Sequence, residues 1–152
     1  MVTLAAARAA VCGVLDPELP VLTLEDLGVL RDVAIDGDRV VVTLTPTYSG
    51  CPAMEAMAAD VVASLPGVEV EVRTVLSPAW STDWISEEGL RKLEEYGVAP
   101  PARGPVSVAL SVRCPQCGSP DTEELSRFGS TACKALWRCR ACREPFDRMK
   151  RL

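Results

Sequence analysis

Four cysteines near the C-terminal end of the chain are spaced as two pairs. Cys114 and Cys117 are separated by two residues, as are Cys139 and Cys142, and 21 residues lie between the pairs. This spacing brings four soft thiolates within reach of one tetrahedral ion. It predicts a zinc ribbon that holds one structural zinc ion per chain. Iron on the same four sulfurs, as in rubredoxin, is the main alternative, and four thiols without a metal is the other.

A fifth cysteine, Cys51, lies directly before Pro52. Proline is favoured at the first position of a helix, so Cys51 is expected to be the N-cap of a helix whose apolar stripe runs over residues 54–65. A thiol at a helix N-terminus feels the positive end of the helix dipole, which lowers its pKa and favours the thiolate. The sequence therefore predicts a reactive thiol, with a packed thiol of no chemical consequence as the alternative.

Two acids and two tryptophans are further candidates. Asp16 and Glu18 lie on a proline-rich turn, residues 16–20 (DPELP). If that turn folds over the Cys51 loop, either carboxylate could add a harder ligand beside the thiolate; ordinary turn residues are the alternative. Trp80 and Trp84 lie in an irregular loop over residues 77–85, where they belong to the core or a lid, or contact a partner.

Two cysteines are expected to have no chemical role. Cys12 lies beside an apolar position of the first predicted helix, where a small buried side chain is the expected interpretation. Cys133 lies alone between the two cysteine pairs. It is expected to be a partly buried thiol, and substitution as a metal ligand is the less favoured alternative.

The elements that position these residues follow from apolar periodicity. The first part of the chain has the order α-β-β-α-β-α, which predicts a small α+β sandwich with one sheet of about three strands. Its strand at residues 39–45 (RVVVTLT) has two apolar faces and is expected at the centre of the sheet. The ribbon strands are expected at residues 106–112, 122–127 and 134–138.

Charge divides the 152 residues into two parts. Residues 1–104 carry 7 basic and 16 acidic side chains, a net charge of −9, whereas residues 105–152 carry 9 and 5, a net charge of +4. The change falls in a segment rich in Pro and Gly, residues 97–105, which is typical of a linker. We therefore expect one domain over residues 1–102 and the ribbon over residues 103–152.

Composition excludes several classes of function. The chain contains no His, which excludes His-dependent triads and 2-His-1-carboxylate iron sites. No apolar run approaches the roughly 20 residues of a membrane span, and the cysteine count is odd at seven. The apolar N-terminal segment has Arg8 in its middle, and we expect it to form an amphipathic helix rather than a signal peptide. We expect a cytoplasmic protein. Nucleic-acid binding is disfavoured, because four zinc-bound thiolates lower the ribbon charge to about +2.

Several motifs together resemble known families. Residues 16–20 (DPELP), 27–29 (LGV) and 45–52 (TPTYSGCP) resemble the iron–sulfur assembly domain family found in SufT-type proteins. Residues 77–84 (SPAWSTDW), the ribbon, residues 128–134 (FGSTACK) and residues 144–147 (EPFD) are similar to the D-subunit family of phenylacetyl-CoA epoxidase (phenylacetate-CoA oxygenase) systems. The resemblance covers nearly the whole chain.

The resemblance implies an accessory or maturation subunit in aerobic phenylacetate degradation that is not catalytic by itself. It would assist assembly of an iron or iron–sulfur site in a partner subunit of the epoxidase. Cys51 matches the reactive cysteine of the assembly family and Asp16 its acidic turn residue, which makes Cys51, Asp16 and Glu18 a candidate site for transient iron or a cluster. The implied partners are the other subunits of the system, and a homodimer is left open. A thiol-dependent enzyme that uses Cys51, or a ribbon that binds a protein or nucleic acid, are the alternatives.

Overall fold

The computed structural model describes residues 1–102 and 112–151. The chain forms two compact units, Met1–Ser86 and Glu87–Leu152. Apart from Val112, the ribbon strand expected at residues 106–112 lies outside the described residues. None of the helices in the described ranges combines the length and the apolar character that a bilayer crossing requires.

The first unit contains three α-helices, three strands and one 3₁₀ turn. In chain order they are α1 (Leu4–Cys12), α2 (Leu24–Leu27), β1 (Leu30–Asp36), β2 (Arg39–Leu44), α3 (Met54–Ala63), β3 (Glu69–Thr74) and the 3₁₀ turn Thr82–Trp84.

The sheet of the first unit has the order β1-β2-β3, so β2 is central as its sequence predicts. β1 and β2 form an antiparallel hairpin through Gly37, and β3 runs parallel to β2 in register from Arg39 opposite Glu69. A parallel neighbour requires a crossover, which α3 supplies. β2 carries the deepest residues of the sheet: Val40, Val42 and Leu44 are fully buried.

Two helices pack against the edge strands of the sheet: α1 contacts β1, and α3 contacts β3. Thr3 is the N-cap of α1, and its hydroxyl accepts a hydrogen bond from the Ala6 N–H at 3.2 Å. It buries Ala7 and Val11, and α3 buries Met57 and Val61. These spacings of four residues are those of one helical face.

The loop that follows β3 folds back onto α2. The Trp80 indole N–H donates to the Leu27 carbonyl at 2.8 Å, and the Ser86 N–H donates to the Asp26 carbonyl at 2.8 Å. Gly28 ends α2 with φ +76°, and a Cβ atom there would lie 2.7 Å from both Cβ and the carbonyl oxygen of Trp84. Only glycine satisfies both the backbone conformation and this close approach.

In its described residues the second unit contains one helix and four strands. They are α4 (Glu87–Glu95), β4 (Val98–Ala99), β5 (Thr122–Ser126), β6 (Lys134–Cys139) and β7 (Pro145–Met149). The strand order in the described residues is β4-β7-β6-β5. β5, β6 and β7 are antiparallel neighbours, whereas β4 is parallel to β7.

The division of the chain differs from the boundary expected at residues 102 and 103. β4, which lies at the start of the proline-rich segment, pairs with β7. α4, which precedes that segment, contacts β4, so both elements are part of the ribbon unit. Strand pairing and helix packing, rather than the change in charge, set the compact units. The predicted class is confirmed: an α+β unit is followed by a β-ribbon unit.

Candidate functional site

The four paired cysteines meet at one point of the second unit. Their Sγ atoms all lie within 4.8 Å of one another, with 3.7 Å between Cys114 and Cys142 and 3.6 Å between Cys117 and Cys139. Four sulfurs at 2.3 Å from a tetrahedral zinc ion are separated by about 3.8 Å. The cluster therefore has the shape of a tetrahedral tetrathiolate site.

Each cysteine pair forms the same kind of knuckle. The Gln116 N–H points at the Cys114 sulfur at 3.4 Å, and the Cys142 N–H points at the Cys139 sulfur at 3.5 Å. The residue after each pair has a positive φ, +75° at Gly118 and +66° at Arg143. An arginine is held there in a conformation that glycine prefers, because the turn around the sulfurs requires it.

Hydrogen bonds and the close approach of the four sulfurs change the pKa values of the cluster thiols. Backbone donation from Cys142 is the largest effect on Cys139 and lowers its pKa to about 7. For Cys142 a backbone hydrogen bond from Glu144 lowers the pKa, but burial and the three neighbouring thiols outweigh it and raise the pKa to about 12. Four thiolates so close repel one another, and a bound dication removes that penalty. The donor set fits a soft or borderline metal ion.

The metal cluster is also part of the packing of the second unit. Cys114 and Cys139 are buried together with Ala99, Val112 and Phe146. Trp137 packs against this group. Among the described residues this cluster is small, and a bound metal ion is the expected further source of stability.

Cys51 lies in the loop between β2 and α3 and is only 7% exposed. Its N–H donates to the Tyr48 carbonyl at 3.3 Å, so residues 48–51 form a tight turn. The prediction that Cys51 is the N-cap is wrong. α3 begins at Met54, its N-cap is Ala53, and that cap has no side-chain hydrogen bond. The turn at residues 51–53 moves the helix start beyond the proline.

The predicted low pKa of Cys51 is also wrong, because burial is the strongest effect and raises the pKa of the thiol. The Ala53 N–H and the Tyr48 hydroxyl donate hydrogen bonds to the sulfur and lower the pKa in part. The negative charges of Glu18 and Asp16 raise it further. The same charges that disfavour a thiolate favour a cation next to the sulfur.

The acidic turn does approach the Cys51 loop, since both carboxylates act on the thiol. Asp16 is 6% exposed, and its Oδ1 accepts hydrogen bonds from the N–H groups of Glu18 at 2.9 Å and Leu19 at 2.7 Å. The turn therefore holds the Asp16 carboxylate in place. Glu18 and Asp16 precede Cys51 by 33 and 35 positions in sequence, but they lie close enough in space for their charges to act on its thiol.

A shallow pocket of about 270 Å³ lies beside this loop. Pro46, Tyr48, Leu76, Ala79 and Trp80 are among its lining residues. Trp80 is buried and tethered to α2, whereas Trp84 is half-buried beneath the Arg31 guanidinium, 3.9 Å from the ring centroid. A partner contact by either tryptophan stays a prediction.

The two remaining cysteines lie apart from both sites. Cys12 is half-buried and not fully buried as expected; partial burial and a hydrogen bond to Glu25 raise its pKa. Cys133 is buried, and its sulfur lies 3.0 Å from the Thr131 hydroxyl. It is not a member of the four-cysteine cluster.

Tyr48 is the residue of the Cys51 site that the sequence analysis missed. It reaches the sulfur only because the loop turns back on itself between Tyr48 and Cys51. The signal available in the sequence was the segment SGCP after the tyrosine, since Ser, Gly and Pro together mark a tight turn.

Two family models match separate parts of the chain, and each part contains one of the two sites. Residues 4–76 match the model of the iron–sulfur cluster assembly proteins, and residues 99–150 match the model of the PaaD zinc beta ribbon domain. The first match contains Cys51 and the acidic turn, and the second contains the four-cysteine cluster.

Individual relatives agree with both matches. A protein of Escherichia coli K12 named as the D subunit of a 1,2-phenylacetyl-CoA epoxidase is 48% identical over 140 residues, which is 89% of this chain and 85% of that protein. A Porphyromonas gingivalis protein named as an Fe-S protein maturation auxiliary factor is 39% identical over 85 residues, 53% of this chain and 80% of that protein. A crystal structure of a DUF59 domain from Bacillus anthracis is similar with a TM-score of 0.54 and 33% identity, over 59% of this chain and 90% of that chain.

Proposed function

Because the chain belongs to the D-subunit family of the 1,2-phenylacetyl-CoA epoxidases, we propose that it assists assembly of an iron or iron–sulfur site in a partner subunit of such an epoxidase. The observation that carries the proposal is the convergence of Cys51, Asp16 and Glu18 within the assembly-type unit. A relative named as an Fe-S protein maturation auxiliary factor and the match of residues 4–76 to the iron–sulfur cluster assembly model both support this proposal. The work is done in the cytoplasm, where seven thiols remain reduced.

The proposed cargo site consists of one buried thiol and two nearby carboxylates. At neutral pH the Cys51 thiol is protonated, since burial raises its pKa, so an incoming iron ion must displace the proton as it binds sulfur. Asp16 and Glu18 favour the cation and supply harder oxygen ligands. One sulfur and one or two oxygens leave open positions on the metal, which suits transfer to a client.

The raised pKa also bears on the alternative of a thiol-dependent enzyme. A nucleophilic cysteine works as the thiolate and is activated by a nearby base or cation. At Cys51 the nearby charges are negative and the chain contains no His to act as the base. The environment therefore favours cation binding over nucleophilic catalysis.

We propose a structural role for the ribbon metal and assign it as zinc. Cys114, Cys117, Cys139 and Cys142 are the ligands, and closed tetrathiolate sites of this type stabilise small β-ribbons. The two cysteines that are buried, Cys114 and Cys139, place the ion against the apolar core. Its role is to fix the ribbon as a platform, while the metal that is handed on binds at Cys51.

The experiment compares iron loading of the epoxidase subunits produced with the wild-type chain, with Cys51→Ser, and without the chain. Cys51→Ser should keep the fold and the ribbon metal but load the client no better than the sample without the chain. Cys12→Ser is the matched control, because Cys12 is a half-buried thiol of the same unit away from the acidic turn. Full client loading by Cys51→Ser, with the chain limiting, would contradict the proposal.

A further inference from the structure

The segment over residues 128–134 (FGSTACK), which neither metal site uses, is held by an internal polar network. Lys134 is only 5% exposed, and its ammonium donates to the Ser130 hydroxyl at 3.3 Å. Ser130 in turn donates to Asp147 Oδ2 at 3.1 Å, and the Gly129 N–H donates to the Lys134 carbonyl at 2.8 Å. Burying an ammonium is costly unless hydrogen bonds compensate for the lost water, and the contact with Ser130 supplies part of that compensation.

Gly129 shows how tightly the loop packs. A Cβ atom there would lie 2.7 Å from Asp147 Oδ1 and 3.3 Å from the Lys134 carbonyl oxygen. The loop therefore rests directly on β6 and β7, and its position is set by strand residues rather than by loop sequence alone.

The first residue of this loop has a large apolar side chain that is exposed to solvent. Phe128 is 71% exposed, and Leu125, three residues earlier, is 48% exposed. The pairing of β5 with β6 is irregular between Glu124 and Ser126, which leaves Leu125 as the extra residue of a bulge. Bulges re-aim side chains on edge strands. Leu125 thus protrudes from a strand that has a single neighbour among the described residues, and Phe128 protrudes from the loop that follows this strand.

Cations flank the protruding phenylalanine. The Lys150 ammonium lies 4.8 Å from the Phe128 ring centroid and donates to the Arg127 carbonyl at 2.9 Å. Elsewhere on the ribbon, Arg138 pairs with Glu123, and Arg140 pairs with Glu123 and Asp121. Within the described residues no carboxylate pairs with Arg127 or Lys150. Their charge is therefore available to carboxylates of another molecule.

We infer that this surface, Leu125, Arg127, Phe128 and Lys150, is a docking site for a protein partner whose complementary surface is an apolar pocket bordered by carboxylates. A rigid exposed aromatic residue is the kind of side chain that carries binding energy in an interface, and flanking charges steer the approach. The inference rests on the proposed function for the identity of the partner, another component of the epoxidase. It adds a surface on the second unit that binds this component.

The test measures the Kd of the full chain for the purified epoxidase subunits. Phe128→Ala should weaken binding at least about 10-fold, as expected for an anchor residue. Tyr96→Ala is the matched control, because Tyr96 is a 52% exposed aromatic residue of the same unit, and it should bind as wild type. The double variant Arg127→Glu, Lys150→Glu should bind more weakly and lose the salt dependence of the wild-type chain. Metal content and circular dichroism of each variant verify that the ribbon is intact.

Three outcomes would overturn the inference. They are unchanged binding of the epoxidase subunits by Phe128→Ala, no binding of them by the wild-type chain, and a Phe128→Ala effect confined to random DNA or anionic vesicles. Cys51→Ser separates this inference from the proposed function, since it should bind the subunits normally. Full iron loading by Cys51→Ser together with lost binding by Phe128→Ala would support the docking surface and contradict the cargo site. Lost iron loading by Cys51→Ser together with unchanged binding by Phe128→Ala would support the cargo site and contradict the docking surface.

Discussion

Burial and two nearby negative charges raise the pKa of the Cys51 thiol, whereas two hydrogen-bond donors lower it. The net effect is a raised pKa, because desolvation is the largest contribution and Glu18 and Asp16 add to it. The site therefore stays protonated until a cation competes with the proton. This property distinguishes a transfer site from a store, in which a thiolate would bind metal without that competition.

The first prediction concerns the charge of Glu18. Glu18→Gln should lower the pKa of Cys51, because a neutral side chain no longer opposes the thiolate. Iodoacetamide labelling of Cys51, followed by peptide mass spectrometry across pH, should show its midpoint at lower pH than in the wild type. Asp60→Asn, a change at an exposed carboxylate of α3, should leave the midpoint in place. A midpoint that stays or rises in Glu18→Gln would contradict the assigned effect.

The second prediction compares two glycines with positive φ. Gly28→Ala should destabilise the first unit by about 3 kcal/mol or more, since the methyl group adds overpacking against Trp84 to the cost of a left-handed backbone. Gly37→Ala has φ +63° but no atom within 4 Å of the new methyl group, so it should cost only about 1–2 kcal/mol. Urea unfolding measures both. Equal losses at the two positions would show that the approach of Trp84 is unimportant.

At the scale of elements, the ribbon depends on two knuckles that turn around sulfur. Metal binding to such peptides contributes roughly 10–16 kcal/mol of apparent free energy, which exceeds what a small apolar core can provide. Strands β5, β6 and β7 are therefore expected to require the ion.

The third prediction is that Cys139→Ser abolishes metal binding and unfolds the second unit. Cys133→Ser is its control, because Cys133 is equally buried and close in sequence but lies outside the cluster. That variant should keep one metal ion per chain and a near-normal melting temperature. Elemental analysis and thermal unfolding by circular dichroism give the two readouts. Full metal occupancy in Cys139→Ser would refute the ligand set.

Some elements were readable from the sequence and others were not. The central strand β2 follows from its unbroken apolar run, and the cysteine cluster follows from spacing alone. β7 escaped because it begins with Pro145 and buries Phe146 and Met149, a spacing of three that matches no strand pattern. β4 has only two residues, too few for any periodicity. The predicted start of α3 is too early because Pro52 lies in a turn, in which the Met54 N–H donates to the Cys51 carbonyl at 3.3 Å, and the helix begins only after that turn.

At the scale of the whole molecule, composition limits the chemistry. The carboxylate-bridged di-iron sites of helical bundles use Glu-x-x-His pairs, and this chain contains no His. The cysteine spacing, the charge division and the absence of His could all be read without a structure. The approach of Glu18 and Asp16 to Cys51 could not, because it depends on how the turn and the β2–α3 loop meet in space.

The fourth prediction follows from that composition. The pure chain, supplied with an electron donor and oxygen, should form no epoxide from phenylacetyl-CoA. The same assay with the complete set of epoxidase subunits is the positive control. Epoxide formed by the chain alone would contradict the prediction and show that the chain is itself a catalyst.

The pairing of β4 with β7 has a consequence for amide hydrogen exchange. Segments that open cooperatively exchange together, and residues joined by strand hydrogen bonds form such a group. After chelation of the ribbon metal, the amides of β4 should therefore exchange with solvent at the same rate as those of β6 and β7. This holds although β4 ends 15 positions before Cys114, the first residue of the cysteine pairs. Mass spectrometry of deuterated peptides would then trace a cooperative unit that begins within the proline-rich segment and not after it.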